Sequence, residues 1–360
     1  MLLQDTHNLH SLSKLLTILL LFCLLFVQTS QSPSSNVNFD ESVQHKHQRK
    51  PPYRQDMPTA LPLWPDDVPG ERPNTFGTEE WKCNTGENHK TWCSIFNVTK
   101  PVMYPYLVQH SDAVMIVAPG GGYSTLSIDN EGTDIALWLN SIGISAFVLK
   151  YRVPGRPWLS FGEAPLMDAQ RAMGVVRGMA GGNSTNIPHL NASKIGFIGF
   201  SAGGHLTGHI NVAWAKRAYP KLDRADILSC RPDYSIMVYP WRSVSQPPVN
   251  ESIAGASALN VTNQTPPTLL IQTEDDWAHV ENAIFYFLAL KQNHAAPSEL
   301  HVYPSGGHGY GRCVFGDAAI HRHEVCSWPD RAEVFLNRLG VVDGSKIGKA
   351  RSESNSAIES

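Results

Sequence analysis

A glycine-bracketed serine, Gly199-Phe200-Ser201-Ala202-Gly203, constrains this chain more than any other stretch. Residues 194–200 (KIGFIGF) read as a buried strand, and residues 204–218 carry the spacing of a helix. A serine between such a strand and helix sits on a sharp turn, in a sparsely allowed backbone region. The residues two before and two after it crowd its Cα, so only a hydrogen fits there as a side chain. The turn lifts the hydroxyl clear of the sheet, which is the setting of a hydrolytic nucleophile. The string alone recurs by chance, because glycine and serine are common. The flanking strand and helix give it meaning.

On either side of this turn, strand-like and helix-like runs alternate. Residues 113–118, 145–151, 235–239, 268–272 and 300–303 read as strands, and 134–141, 165–180, 280–291 and 331–339 as helices. The alternation predicts an α/β fold with a mainly parallel sheet of about eight strands, covered on both faces. Residues 94–98 and 102–108 are expected to form an antiparallel pair at its start. Reacting groups in such sheets gather beyond the carboxyl ends of the strands.

Three further segments fall at those ends. Ala118-Pro119-Gly120-Gly121-Gly122-Tyr123 follows a buried strand, and its bare backbone can point N–H groups at a ligand oxygen. Gly121 and Gly122, with the Ala202 amide, are the expected oxyanion hole, which stabilises charge that develops in acyl transfer. A phosphate loop would need a Gly-Lys-Ser/Thr ending that is missing here. Glu274-Asp275-Asp276 follows residues 268–272, and Asp276 is the expected carboxylate partner of a histidine. The competing role is to cap the helix near Val280, one aspartate serving each purpose. Ser305-Gly306-Gly307-His308-Gly309-Tyr310 follows the last strand, and among 15 histidines His308 stands out by its glycine bracket. The order Ser201, Asp276, His308 is that of a Ser-His-Asp constellation on this kind of sheet.

Residues 15–27 (LLTILLLFCLLFV) follow Lys14 and precede small polar residues. This reads as a secretory leader, being short of the roughly 20 residues that span a bilayer, with an uncleaved single-pass anchor as the alternative. The expected organisation is a leader over 1–30, a flexible linker over 31–62, a catalytic domain over 63–343 and a disordered tail over 344–360. His45 and His47 belong to the linker. Outside the leader's Cys23 the chain has Cys83, Cys93, Cys230, Cys313 and Cys326. An oxidising destination makes Cys83 with Cys93 and Cys313 with Cys326 the disulfides to expect, leaving Cys230 as a buried thiol. None has metal-ligand spacing. Sequons at Asn97, Asn183, Asn191, Asn250, Asn260 and Asn263 are glycosylation acceptors or plain polar turns, depending on the host. With 29 Lys+Arg against 32 Asp+Glu, nothing favours a nucleic-acid partner.

Taken together, the segments LPLWPDDVPG, APGGGYSTLSIDNEG, LKYRVPGR, APLMDAQRA, GFSAGGHL, RPDYSIMVYP, QTEDDWAHVENA and YPSGGHGYG resemble the α/β-hydrolases, and within them the xylan acetylesterase-like, xylanase-associated carbohydrate esterases. The resemblance covers about residues 63–339. It implies a serine esterase without cofactor or metal, acting on acetyl or other short acyl groups of sugar hydroxyls. The alternatives are a general carboxylesterase, lipase or acyl-peptide hydrolase, or a noncatalytic binding protein on a hydrolase fold. The implied partners are a small acyl ester or an acetylated carbohydrate, and a membrane only if the leader stays on.

Two features depart from the resemblance. Residues 71–92 add length before the first strand, and Trp277-Ala278 follows Asp276 where relatives often carry proline; neither is expected to touch the triad. Tyr123, Trp158 and Phe161 are the candidate substrate pocket, although the stretch 154–165 reads equally as a flap or as an apolar plug. Asp129 and Glu131 are expected to cap the following helix rather than to bind a sugar. Arg152 and Arg171 are expected in structural ion pairs. His321 and His323 do not share a helical face, which disfavours a metal site.

Overall fold

The computed structural model describes residues 57–86, 89–109, 111–182, 190–243, 258–315 and 322–342. The leader, Cys23, His45, His47, Asn183, Asn250, His321 and the expected tail lie outside those residues. Among the described residues no helix is long and apolar enough to cross a membrane.

The strands are β1 (Leu61–Pro62), β2 (Glu80–Thr85), β3 (Thr91–Phe96), β4 (Val102–Tyr106), β5 (Val114–Ala118), β6 (Ser145–Lys150), β7 (Ile195–Phe200), β8 (Tyr234–Val238), β9 (Thr268–Thr273) and β10 (Glu299–Tyr303). The helices are α1 (Asp134–Ser141), α2 (Glu163–Ala180), α3 (Ala202–Ala213), α4 (Glu281–Gln292) and α5 (Trp328–Arg338). Eight strands form one sheet in the order β1-β4-β6-β5-β7-β8-β9-β10. β1 and β4 pair antiparallel, as do β4 and β6; from β6 to β10 every pairing is parallel.

Parallel strands covered on both faces read as mainly apolar runs, since neither face meets water. Accordingly every residue of β5, β6, β7, β8 and β9 is buried, whereas the edge strand β10 is mostly half-buried. Below α4 a separate apolar cluster joins Met237 and Leu270 of the sheet to Ala283, Tyr286 and Leu290. Fully burying each such large side chain contributes roughly 1.5–3 kcal/mol.

The expected pairing of 94–98 with 102–108 does not occur. β3 instead forms a separate two-stranded ribbon with β2, and β4 enters the main sheet. β2 is almost entirely exposed, so it lacks the apolar alternation that announces a strand. Its pairing places Cys83 directly opposite Cys93, and those residues are disulfide-bonded. Cys313 and Cys326 form the second bond, and Cys230 is a buried free thiol. The sheet begins with Leu61, two residues inside the expected linker, because that segment pairs with Met103 and Val102.

Arg152 is fully buried and donates to the Asp168 carboxylate, and Arg171 pairs with Asp223 and Asp226. Asn191, Asn260 and Asn263 are exposed, and Asn97 is half-buried.

Candidate active site

Ser201 stands between β7 and α3 at φ 53° and ψ −116°, a backbone state that a side-chain-bearing residue holds only when its surroundings enforce it. Ser201 N–H donates to Val238 O at 3.1 Å, while Ser201 O accepts from His205 N at 3.0 Å and Trp241 N at 3.1 Å. The flanking glycines are dictated by space. A Cβ on Gly199 would lie 1.9 Å from Gly203 O, and one on Gly203 would lie 2.0 Å from Ala118 O.

Beyond β10 the backbone takes positive φ at Gly306, Gly307, Gly309 and Gly311, and this winding carries His308 back over the sheet. His308 Nε2 lies 2.7 Å from Ser201 Oγ, and His308 Nδ1 lies 2.8 and 2.9 Å from the two oxygens of Asp276. The Asp276 side chain is fully buried and also accepts from Ala278 N–H at 2.6 Å. Asp275 has a different task from the expected cap. It accepts from Gly306 N–H and Gly307 N–H at 3.1 and 2.8 Å and so anchors the loop that bears His308. Burial pushes the Asp275 carboxyl up, but the Gly307 and Gly306 amides outweigh it and hold it below the usual range. α4 has no side-chain cap at all.

The loop after β5 brings Gly120 against the serine, where an added Cβ would meet Ser201 Cβ at 2.8 Å. The Gly121, Gly122 and Ala202 amides have no acceptor among the described residues. Ala202 opens α3, so its N–H is one of the donors a helix start leaves unpaired.

Asp129 and Glu131 do not cap α1, whose N-terminus has no side-chain cap. They lie in a largely buried π-helical turn, Asp129–Thr133, that ties β3, the glycine loop, the end of β8 and the histidine loop together. Asp129 accepts from Cys93 N–H at 2.7 Å, Asn130 donates to Gly309 O at 3.0 Å, and Glu131 accepts from Gly120 N–H at 2.7 Å and from Tyr239 O–H at 2.8 Å. The Tyr239 phenol oxygen in turn accepts from Gly311 N–H at 2.9 Å, and its ring lies 4.9 Å from that of His308. Burial pushes the Glu131 carboxyl up, opposed by Tyr239, Gly120 and the nearby His308.

Tyr123 is buried, and its phenol oxygen is hydrogen-bonded to His205 Nδ1 at 2.8 Å. His205 is neutral: burial, reinforced by His209 and Arg242, pushes its pKa down to about 3. Phe161 packs edge-on against Tyr123 at 5.3 Å and near His205 and Trp241, with the Arg242 guanidinium over its ring. Trp158 is engaged elsewhere. Its indole N–H donates to Gly70 O, its ring stacks on Phe76, and Arg72 covers it. The 154–165 stretch therefore splits, Phe161 toward Tyr123 and Trp158 onto the 70–76 segment.

Trp277 corrects another expectation. It does touch the histidine: its ring centroid lies 4.7 Å from that of His308, while 67% of its surface is exposed. His323 bonds Ser305 through Nδ1, and no cluster of metal-ligating side chains exists among the described residues.

The prolyl oligopeptidase family matches over residues 184–325. An acetylxylan esterase of Xylanibacter ruminicola is 30% identical over 224 residues, which are 56% of this chain and 42% of that protein. An endo-1,4-β-xylanase B of Butyrivibrio fibrisolvens is 30% identical over 228 residues, which are 58% of this chain and 34% of that protein. The chain thus spans less than half the length of these two relatives. A crystal structure of an acetyl ester-xyloside bifunctional hydrolase from Caldicellulosiruptor lactoaceticus superposes with a TM-score of 0.60 at 30% identity, covering 80% of this chain and 99% of that one.

Proposed function

The chain belongs to the α/β-hydrolase superfamily, in the xylan acetylesterase-like group, and on that premise we propose that it is a serine esterase removing acetyl or similarly short acyl groups from carbohydrate hydroxyls. The observation that carries this reading is the unbroken hydrogen-bonded line from Ser201 Oγ through both His308 nitrogens to Asp276.

In the proposed mechanism His308 Nε2 takes the Ser201 proton as Oγ attacks the acyl carbon. Asp276 accepts the Nδ1–H bond, fixing the tautomer and steadying the imidazolium. The carbonyl oxygen becomes an oxyanion facing the Gly121, Gly122 and Ala202 amides, each donor being worth roughly 2.7–4 kcal/mol in the transition state. Collapse breaks the bond to the sugar oxygen, which leaves with the proton from His308. Water, deprotonated by His308, then attacks the Ser201 acyl ester and releases the acid. Every triad group regains its starting protonation by the end of the cycle.

A short acyl group is favoured by the cluster that Tyr123 and Phe161 build on His205, whose amide is bonded to Ser201 O. The two disulfides support an extracytoplasmic destination. Initial rates on p-nitrophenyl esters of increasing chain length, beside acetate release from acetylated xylan, test the reading. Acetate release with a steep fall beyond the shortest esters is expected. Preference for long acyl chains with no acetate release from xylan would favour a lipase or general carboxylesterase instead.

A further inference from the structure

We infer that the indole of Trp277 is a stacking platform for the pyranose ring that carries the ester, which makes it a binding and specificity residue on the alcohol side of the site; this rests on the esterase reading above. The local chain explains its position. Asp276 is buried and hydrogen-bonded to His308, and Ala278 is buried with its amide bonded to Asp276. Pinned between two inward-facing neighbours, Trp277 projects outward. Its anchor is thus as rigid as the His308–Asp276 pair, and little ordering is needed for it to serve as a surface.

Exposure of this size is unusual for an indole, whose burial would ordinarily contribute to stability. Among the described residues its ring neighbour is His308, at 4.7 Å with the planes tilted by 51°. His308 delivers its proton to the leaving oxygen, so the alcohol half of the substrate must approach within hydrogen-bond reach of Nε2. A group bonded to that oxygen extends over several ångströms, which is the scale of the separation between the two rings. A pyranose has an apolar face of C–H bonds and a rim of hydroxyls. An exposed indole has a matching apolar face and one N–H donor. An alkyl alcohol as small as ethanol has no comparable face to place against it.

The experiment compares the wild-type chain with Trp277→Ala and Trp277→Phe on an acetylated xylo-oligosaccharide and on ethyl acetate. For Trp277→Ala the ratio of kcat/KM between the carbohydrate and ethyl acetate should fall about tenfold, mainly through KM, and Trp277→Phe should restore part of it. A parallel measurement in the Ser201→Ala background follows quenching of indole fluorescence by unacetylated xylotriose. The quenching should weaken when Trp277 is also replaced. An unchanged ratio, or an equal fall on both esters, overturns the platform while leaving the esterase reading intact. Wild-type turnover of ethyl acetate with none on any acetylated oligosaccharide overturns the carbohydrate reading, and this inference with it.

Discussion

The Glu131 carboxylate is buried and accepts the Tyr239 phenol at 2.8 Å through Oε1, while its other oxygen takes the Gly120 amide at 2.7 Å. One side chain thereby connects the glycine loop after β5 to the end of β8, and through Tyr239 to Gly311 in the histidine loop. Replacing it with glutamine keeps the shape but exchanges one acceptor oxygen for a donor, so one of the two buried donors loses its partner. Glu131→Gln should therefore cost about 1–3 kcal/mol of stability in chemical denaturation. It should also lower kcat more than it changes KM, because the glycine loop is no longer held. A variant with wild-type stability and kcat would show that the link is incidental.

Neighbouring aspartates should respond very differently to the same change. Asp276→Asn removes the carboxylate from His308 Nδ1 and favours the wrong tautomer, with an expected loss in kcat of ~10⁴-fold. Asp275→Asn leaves one amide oxygen for the Gly306 and Gly307 N–H groups and should lose far less. Steady-state kinetics on p-nitrophenyl acetate separate them, and a larger loss at Asp275 would reverse the assignment.

His205 predicts an acid-sensitive fold. Its folded pKa, about 3, lies below the ordinary histidine value of 6.5, so between those values the unfolded chain binds the extra proton. Stability from this group is complete above about pH 6.5 and is lost as pH falls toward 3. The limiting slope is about 1.4 kcal/mol per pH unit for one proton. His209 is shifted the same way, whereas Glu131 and Asp129, pushed up by burial, act oppositely. The difference between the wild type and His205→Gln isolates the His205 contribution. Thermal melts from pH 7 to 4 should be less steep in pH for the variant, and identical pH profiles would contradict the assignment.

The bond between Cys313 and Cys326 closes a loop directly after the histidine segment, with a sequence separation of 13. Chain-entropy reasoning gives about 3 kcal/mol for a loop of that order. Cys83 and Cys93 already face each other in the separate β2–β3 ribbon. The Cys313→Ser/Cys326→Ser double variant should accordingly lose more activity under mild warming than the Cys83→Ser/Cys93→Ser variant. The reverse order would separate the histidine loop's integrity from its disulfide.

What could be read from sequence was set by how locally each feature is encoded. The parallel strands are continuous apolar runs because both faces are buried, so residues 113–118 and 268–272 announced β5 and β9 almost to the residue. The Gly199 and Gly203 bracket is likewise a local steric demand. β2 carried no such mark: its sequence, EWKCNT, is polar and mostly exposed, and its pairing comes from β3 and the disulfide. Glu131 and Asp275 looked like helix caps because acidic residues near helix starts usually are. Their actual partners, Gly120, Tyr239, Gly306 and Gly307, come from loops that meet only in the tertiary fold. Trp277 was legible as an anomaly after Asp276, but its contact with His308 follows only from how the two loops meet.

Ser201 is assigned as the nucleophile, and mass spectrometry of the folded chain after reaction with a fluorophosphonate, with the labelled peptide sequenced, tests that assignment at the reacting atom. A single adduct on Ser201 is expected, absent from a folded Ser201→Ala variant that has also lost p-nitrophenyl acetate turnover. An unlabelled folded wild type, an adduct on another residue, or near-wild-type turnover by Ser201→Ala would contradict it.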